Sequence, residues 1–126
     1  MKASEVLAVA VDLLHKGDQD GFLAMLSDDC AIVKDDGEQI ARGKDELKEF
    51  YAPIFAEQRE MKVLIPSQFE AGSIAALHEV NQNMNINGES RDVDTVWIYK
   101  VVDDKITYMH VFSPDEAASE DITALS

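Results

Sequence analysis

Gly17-Asp18-Gln19-Asp20-Gly21-Phe22-Leu23 runs into Leu26-Ser27-Asp28-Asp29-Cys30-Ala31-Ile32-Val33, and Ile40-Ala41-Arg42-Gly43-Lys44-Asp45-Glu46-Leu47-Lys48-Glu49-Phe50-Tyr51 follows closely. In order, this stretch reads as a helix stop, a short helix, a strand, a glycine turn and a long amphipathic helix. Gly17 closes the helix before it, and Asp18 is placed to cap the next one, whose apolar face is Phe22, Leu23, Met25 and Leu26. Upstream, residues 4–16 are apolar on nearly every side (Val6, Leu7, Val9, Ala10, Val11, Leu13, Leu14), which predicts a helix wrapped by other elements. Cys30 to Lys34 reads as a short strand, turned back by Asp35-Asp36-Gly37. Downstream, a third helix runs from about Lys44 to Arg59. Its core stripe is Leu47, Phe50, Tyr51, Ile54 and Phe55, at i, i+3, i+4, i+7 and i+8. Pro53 removes the donor that would bond back to Glu49, so a kink or an early end is expected there.

From Met61 onward the apolar period changes to two. Strands are predicted over about 61–71, 74–86, 91–102 and 105–112, separated by Gly72-Ser73, Asn87-Gly88 and Asp103-Asp104. Helices first and then an antiparallel meander define an α+β class. Strict alternation puts Ile74, Ala76, His78, Val80, Met84, Val93, Thr95, Trp97, Tyr99, Ile106, Tyr108, His110 and Phe112 on the inner face. It leaves Leu77, Glu79, Val96, Ile98, Val102, Met109 and Val111 on the outer one. Helices cover only one face, so a homodimer through the outer sheet face is expected.

At 126 residues the chain is one domain, predicted over residues 1–113, with an acidic tail over 114–126. The formal charge of −14 repels phosphate backbones, and the few basic residues are scattered. Neither a nucleic-acid partner nor a membrane surface is expected. The longest apolar run near the start, Val6 to Val11, is too short to span a bilayer and no small-residue cleavage site follows it, so a cytoplasmic protein is the expectation. The single Cys30 reads as a small buried hydrophobe.

The order of elements over residues 3–113, together with the segments quoted first, resembles the nuclear transport factor 2-like superfamily, in particular its ketosteroid isomerase and SnoaL-like branch. The resemblance implies a cone, in which a bent, mainly antiparallel sheet wraps three N-terminal helices around a deep apolar pocket. Steroid isomerases of that branch use an Asp base with a Tyr and a protonated Asp as oxyanion hole. Matched through Asp28-Asp29, Gly17-Asp18 and the aromatic strand Trp97-Ile98-Tyr99, those positions fall on Lys34, Ala10 and Thr95, so that mechanism is not carried over. The epoxide hydrolases of the superfamily need an Arg and two Asp. Here the matching positions are Leu77, His110 and Glu79, and that triad is broken too.

The remaining candidate for chemistry is His110, because an imidazole titrates close to neutrality and can move a proton there. An isomerase, cyclase or dehydratase acting on a small apolar carbonyl compound would use His110 for proton transfer. Tyr108 and Thr95 would be hydrogen-bond donors to a developing oxyanion. Trp97, Tyr99, Tyr51, Phe55, His78 and Phe112 would line the ligand site. The alternative is a non-catalytic small-molecule-binding or dimeric interaction domain of the same shape. No cofactor and no metal site is expected, since strand alternation turns Glu79 away from His78 and His110. His15 reads as a surface residue at a helix C-terminus, and Lys34 as a turn residue paired with Asp35 or Asp36.

Overall fold

The computed structural model describes residues 1–113; the predicted acidic tail lies outside the described residues. The elements are α1 (Ala3–Lys16), α2 (Gln19–Ala24), β1 (Leu26–Val33), β2 (Gln39–Arg42), α3 (Gly43–Glu57), β3 (Lys62–Ala71), β4 (Ile74–Ile86), β5 (Glu89–Val102) and β6 (Lys105–Phe112). The strands form one curved sheet in the order β2-β1-β6-β5-β4-β3, with the helices packed on one face. All pairings are antiparallel except β1 with β6, which is parallel and brings the front half of the chain beside its last strand. The α+β class holds. The short strand read at Cys30 starts four residues earlier, and β2 is an additional strand that the turn at Gly37 creates.

Local chemistry explains the front half. Gly17 ends α1 in the left-handed region at φ 74°, and the Asp18 side chain accepts from the Gly21 N–H at 2.9 Å to cap α2. Lys44 reaches back from α3 and donates through Nζ to the carbonyls of Leu23 and Leu26 at 2.7 and 2.6 Å, satisfying the open end of α2. Buried residues of α1 are Ala3, Val6, Leu7 and Ala10, one face only, while Val9 is 40 % exposed; the helix is therefore not wrapped on all sides. α3 runs four residues beyond Pro53 rather than ending at it. Its packing face, Leu47, Phe50 and Tyr51, is buried ahead of the proline, and this anchoring outweighs one missing backbone bond. His15 is more than a surface residue, since its Nε2 accepts the Val63 N–H at 2.9 Å and ties α1 to β3.

Two irregularities decide which side chains face the helices. In β4 the pairing with β5 shifts between Asn81 and Met84, where Asn83 takes φ 59°. In β6 the pairing passes from Lys100↔Tyr108 to Val101↔Ile106, so Thr107 is an extra residue. Each bulge inverts the alternation on one side of itself. Met84 and Ile106 do face inward, but so do Ala75, Leu77, Glu79, Met109 and Val111, all buried. His78, Tyr108, His110 and Phe112 consequently lie on the outer face, in line with Val96 and Ile98 of β5. The strict alternation used on the sequence thus assigned β5 correctly, and reversed β4 before its bulge and β6 after its own.

The sheet is anchored to α3 at one further point. Beyond the Lys62↔Gln82 end of the β3 ladder, Asn85 has no neighbouring strand on that edge. Gln58, buried at the end of α3, takes its place: Nε2 donates to the Asn85 carbonyl at 2.9 Å and Oε1 accepts the Asn85 N–H at 2.7 Å. Gln58→Ala removes both bonds and should lower stability by about 1–3 kcal/mol in urea unfolding. A loss within experimental error would mean that water replaces the clamp fully.

Candidate active site

Between the helices and the inner sheet face lies a cavity of about 100 Å³. This is somewhat smaller than the ~150 Å³ apolar cavity known to take a benzene ring. Ala10, Leu14, Phe22 and Phe50 form much of its helical wall. Leu77, Trp97 and Met109 form the sheet side, and half-buried Val11, Ile54 and Met61 also line it. Phe22 holds Tyr51 edge-on at 4.7 Å between ring centroids and Phe55 at 5.6 Å. Phe55 therefore supports the wall from behind and does not line the cavity.

Among these apolar surfaces stands one carboxyl group. Glu79 is 5 % exposed and its Oε2 accepts the Tyr99 hydroxyl at 2.6 Å. Burial disfavours its charged form and raises its pKa from 4.5 to about 7; the Tyr99 hydrogen bond opposes that rise only in part. Burial likewise pushes the Tyr99 and Tyr51 hydroxyls well above the usual phenol range, with the negative charge of Glu79 adding to the effect at both. Both phenols stay protonated and act as donors. Among the described residues the Tyr51 hydroxyl has only the Met109 Sδ at 3.4 Å as partner, a weak acceptor.

Beside Glu79 on the same face, Thr95 is the hub of a second set of contacts. Its Oγ1 accepts the indole N–H of Trp97 at 3.1 Å and an amide N–H of Asn81 at 3.1 Å. Its own hydroxyl points to the Glu79 carbonyl at 3.4 Å, a long contact. Asn81 also donates to the Val93 carbonyl at 3.2 Å, which fixes which end of its amide is nitrogen. Trp97 stacks on Tyr99 with centroids 5.8 Å apart.

Of the residues singled out from the sequence, Thr95, Trp97, Tyr99 and Tyr51 meet in this cavity. His110, Tyr108, His78 and Phe112 do not, for the bulge reason given above. On the outer face His110 stacks on Phe112 at 4.4 Å, and its Nε2 is buried without a hydrogen-bond partner among the described residues. His78 pairs with Asp94 at 2.7 Å. Lys34 pairs with Asp36 and Glu38 in its turn, and does not line the cavity. Glu79 and Asn81 were missed. The signal that could have exposed them was the run Glu79-Val80-Asn81-Gln82-Asn83, too polar for uninterrupted strand alternation and therefore suggestive of a bulge. Cys30 is fully buried, and burial with the neighbouring Asp29 charge pushes its thiol up to about 12, leaving it unreactive. Among the described residues no group of three or more His, Cys, Asp or Glu is placed to hold a metal ion. No helix among them is long and apolar enough to cross a membrane.

Among the described residues, helices and sheet thus enclose a small, mostly apolar cavity with one buried acid. The chain belongs to the SnoaL-like domain family, whose model matches residues 8–109. A comparison with curated protein sequences finds no match. Among solved structures, a nuclear transport factor 2-like protein of unknown function from Burkholderia pseudomallei is similar at TM-score 0.78 and 18 % identity, covering 98 % of each chain. TerC, co-crystallised with polyporic acid, is similar at TM-score 0.76 and 19 % identity, over 97 % of this chain and 98 % of that one. A Mycobacterium tuberculosis protein in complex with estradiol-17beta-hemisuccinate aligns at TM-score 0.73 and 23 % identity, over 86 % of this chain and 91 % of that one. At these identities the likeness is one of fold.

The raised Glu79 pKa has a definite sign for stability. Between pH 4.5 and about 7 the native state keeps a proton that the unfolded chain has lost, so this group's contribution is greatest below 4.5 and declines as pH rises to about 7. Glu79→Gln keeps an acceptor for Tyr99 and removes the titration. Relative to wild type, the variant should gain about 3 kcal/mol between pH 4 and pH 8. Parallel unfolding curves at the two pH values would refute the burial account.

Proposed function

We propose that the cavity binds a small, largely apolar carbonyl compound and that Glu79 moves a proton on it, in an isomerisation of the α-proton-transfer type. The observation that carries this reading is a single buried carboxyl poised near neutrality inside an apolar cavity, with a protonated phenol, Tyr51, in the same wall. A base whose pKa lies near the working pH combines a usable ionised fraction with driving force for proton abstraction. As the substrate loses its proton, negative charge develops on its carbonyl oxygen. The Tyr51 hydroxyl, held only by a thioether, is the donor free to stabilise it. Tyr99 holds Glu79 in one orientation and stabilises its ionised form before the step. Proton transfer is assigned to Glu79 rather than His110 because His110 faces away from the cavity.

Exchange of the α-protons of cyclohexenone in D2O, followed by NMR, is the direct assay. The rate should rise with pH through about 7, because the ionised carboxylate is the base. Glu79→Gln should reduce it by about 100-fold or more, and Tyr51→Phe by a smaller factor. Unchanged exchange in Glu79→Gln would end the assignment. Binding of the ketone with no exchange would instead favour a carrier. That second reading draws support from the small cavity and from Trp97 being committed to Thr95.

The outer face supports a homodimer. Val96 and Tyr108 are 41 % and 38 % exposed, with Ile98 and Phe112 half-buried beside them and no helix among the described residues over them. Light scattering at micromolar concentration should give twice the chain mass for the wild type. Val96→Asp, which buries a charge in the proposed interface, should give the monomer mass.

A further inference from the structure

The hydrogen bonds around the cavity restrict what can fill it. Gln58 has both ends of its amide on the Asn85 backbone. The Trp97 N–H is given to Thr95, and the two lone pairs of Thr95 are taken by Trp97 and Asn81. Both N–H groups of Asn81 are also used, one toward Val93 and one toward Thr95. What remains is a short set. Asn81 Oδ1 and Glu79 Oε1 have no protein partner among the described residues; the amide oxygen only accepts, whereas Glu79 Oε1 accepts when the carboxyl is ionised and donates when it is protonated. The Tyr51 and Thr95 hydroxyls are donors held only by a sulfur at 3.4 Å and a carbonyl at 3.4 Å. An amide oxygen can only accept, so a ligand that leaves Asn81 Oδ1 unpaired pays the full desolvation of that atom.

No Lys or Arg lines the cavity, and the chain carries a formal charge of −14. A carboxylate or phosphate ligand would meet an acidic group with no compensating cation. The volume of about 100 Å³ limits the buried part of the ligand to about one six-membered ring.

We infer that the ligand is a neutral, single-ring hydroxy-carbonyl compound, its hydroxyl donating to Asn81 Oδ1 and its carbonyl accepting from Tyr51. The carbonyl half rests on the proton-transfer reading above; the hydroxyl half rests on the hydrogen bonds around Asn81, the neutrality on the lack of a lining cation, and the size on the cavity volume. Asn81 is thus a specificity-determining residue, held in place by Val93 and Thr95 and separate from the proton-transfer step.

The chain's single tryptophan, Trp97, stands in the cavity wall and reports occupancy by its fluorescence. Three probes of similar size decide the matter, by fluorescence and calorimetry: a ring-hydroxylated cyclohexenone, cyclohexenone itself, and cyclohexenecarboxylate. The hydroxylated ketone should bind about tenfold more tightly than cyclohexenone, and the carboxylate more weakly than either. In Asn81→Leu the two ketones should bind alike. The wild-type comparison stands on its own should that variant not fold. Equal binding of the two ketones, tightest binding of the carboxylate, or no binding of any probe at millimolar concentration overturns the inference. Deuterium exchange on cyclohexenone without a preference for its hydroxylated form would remove this inference and leave Glu79 as the base. The preference without exchange would do the reverse.

Discussion

The geometry of this protein depends on two extra residues in its sheet. A strand presents alternate side chains to alternate faces, so one inserted residue exchanges the faces for everything on one side of it. The bulge before Met84 brings Leu77, Glu79 and Asn81 under the helices, and Thr107 does the same for Met109 and Val111. Without them, His78 and His110 would occupy the cavity and Glu79 would be solvated. The bulges also sharpen the local twist, which suits a sheet that curves around three helices.

Burying Glu79 is unfavourable to folding near neutral pH, yet it gives the cavity its chemical character. The carboxyl retains its proton up to about pH 7 because water has been replaced by Leu, Phe and Met side chains, while Tyr99 keeps it oriented. The neighbouring Thr95 hub uses polar groups differently. There nearly every donor and acceptor is matched within the protein. One cavity thus contains an acid with a raised pKa beside a nearly satisfied hydrogen-bond network.

The chain shares its fold with solved structures at 18–23 % identity, so most of the side chains inside the sheet differ from theirs. Ala10 contributes only a methyl group to the cavity wall. Lys34 is turned into an ion-paired loop. The buried acid comes from the middle of β4. The sheet offers many inward positions, so the fold by itself does not fix which of them carries a polar group.

Local chemistry written in the chain determined its elements. Gly17 and Asp18 end and cap helices, Asn87-Gly88 turns a hairpin at φ 53° and 86°, and Leu47, Phe50 and Tyr51 mark the buried stripe of α3. These depend on neighbours within a few residues, so they can be read without a structure, and the inward face of β5 was legible for the same reason. Which faces of β4 and β6 turn inward could not be read that way. A bulge changes side-chain direction without changing residue type, and its placement is set by pairing with a strand distant in sequence. Only the tertiary structure, through the registers of β4 and β6 on β5, placed Glu79 and Asn81 in the cavity and His110 outside it.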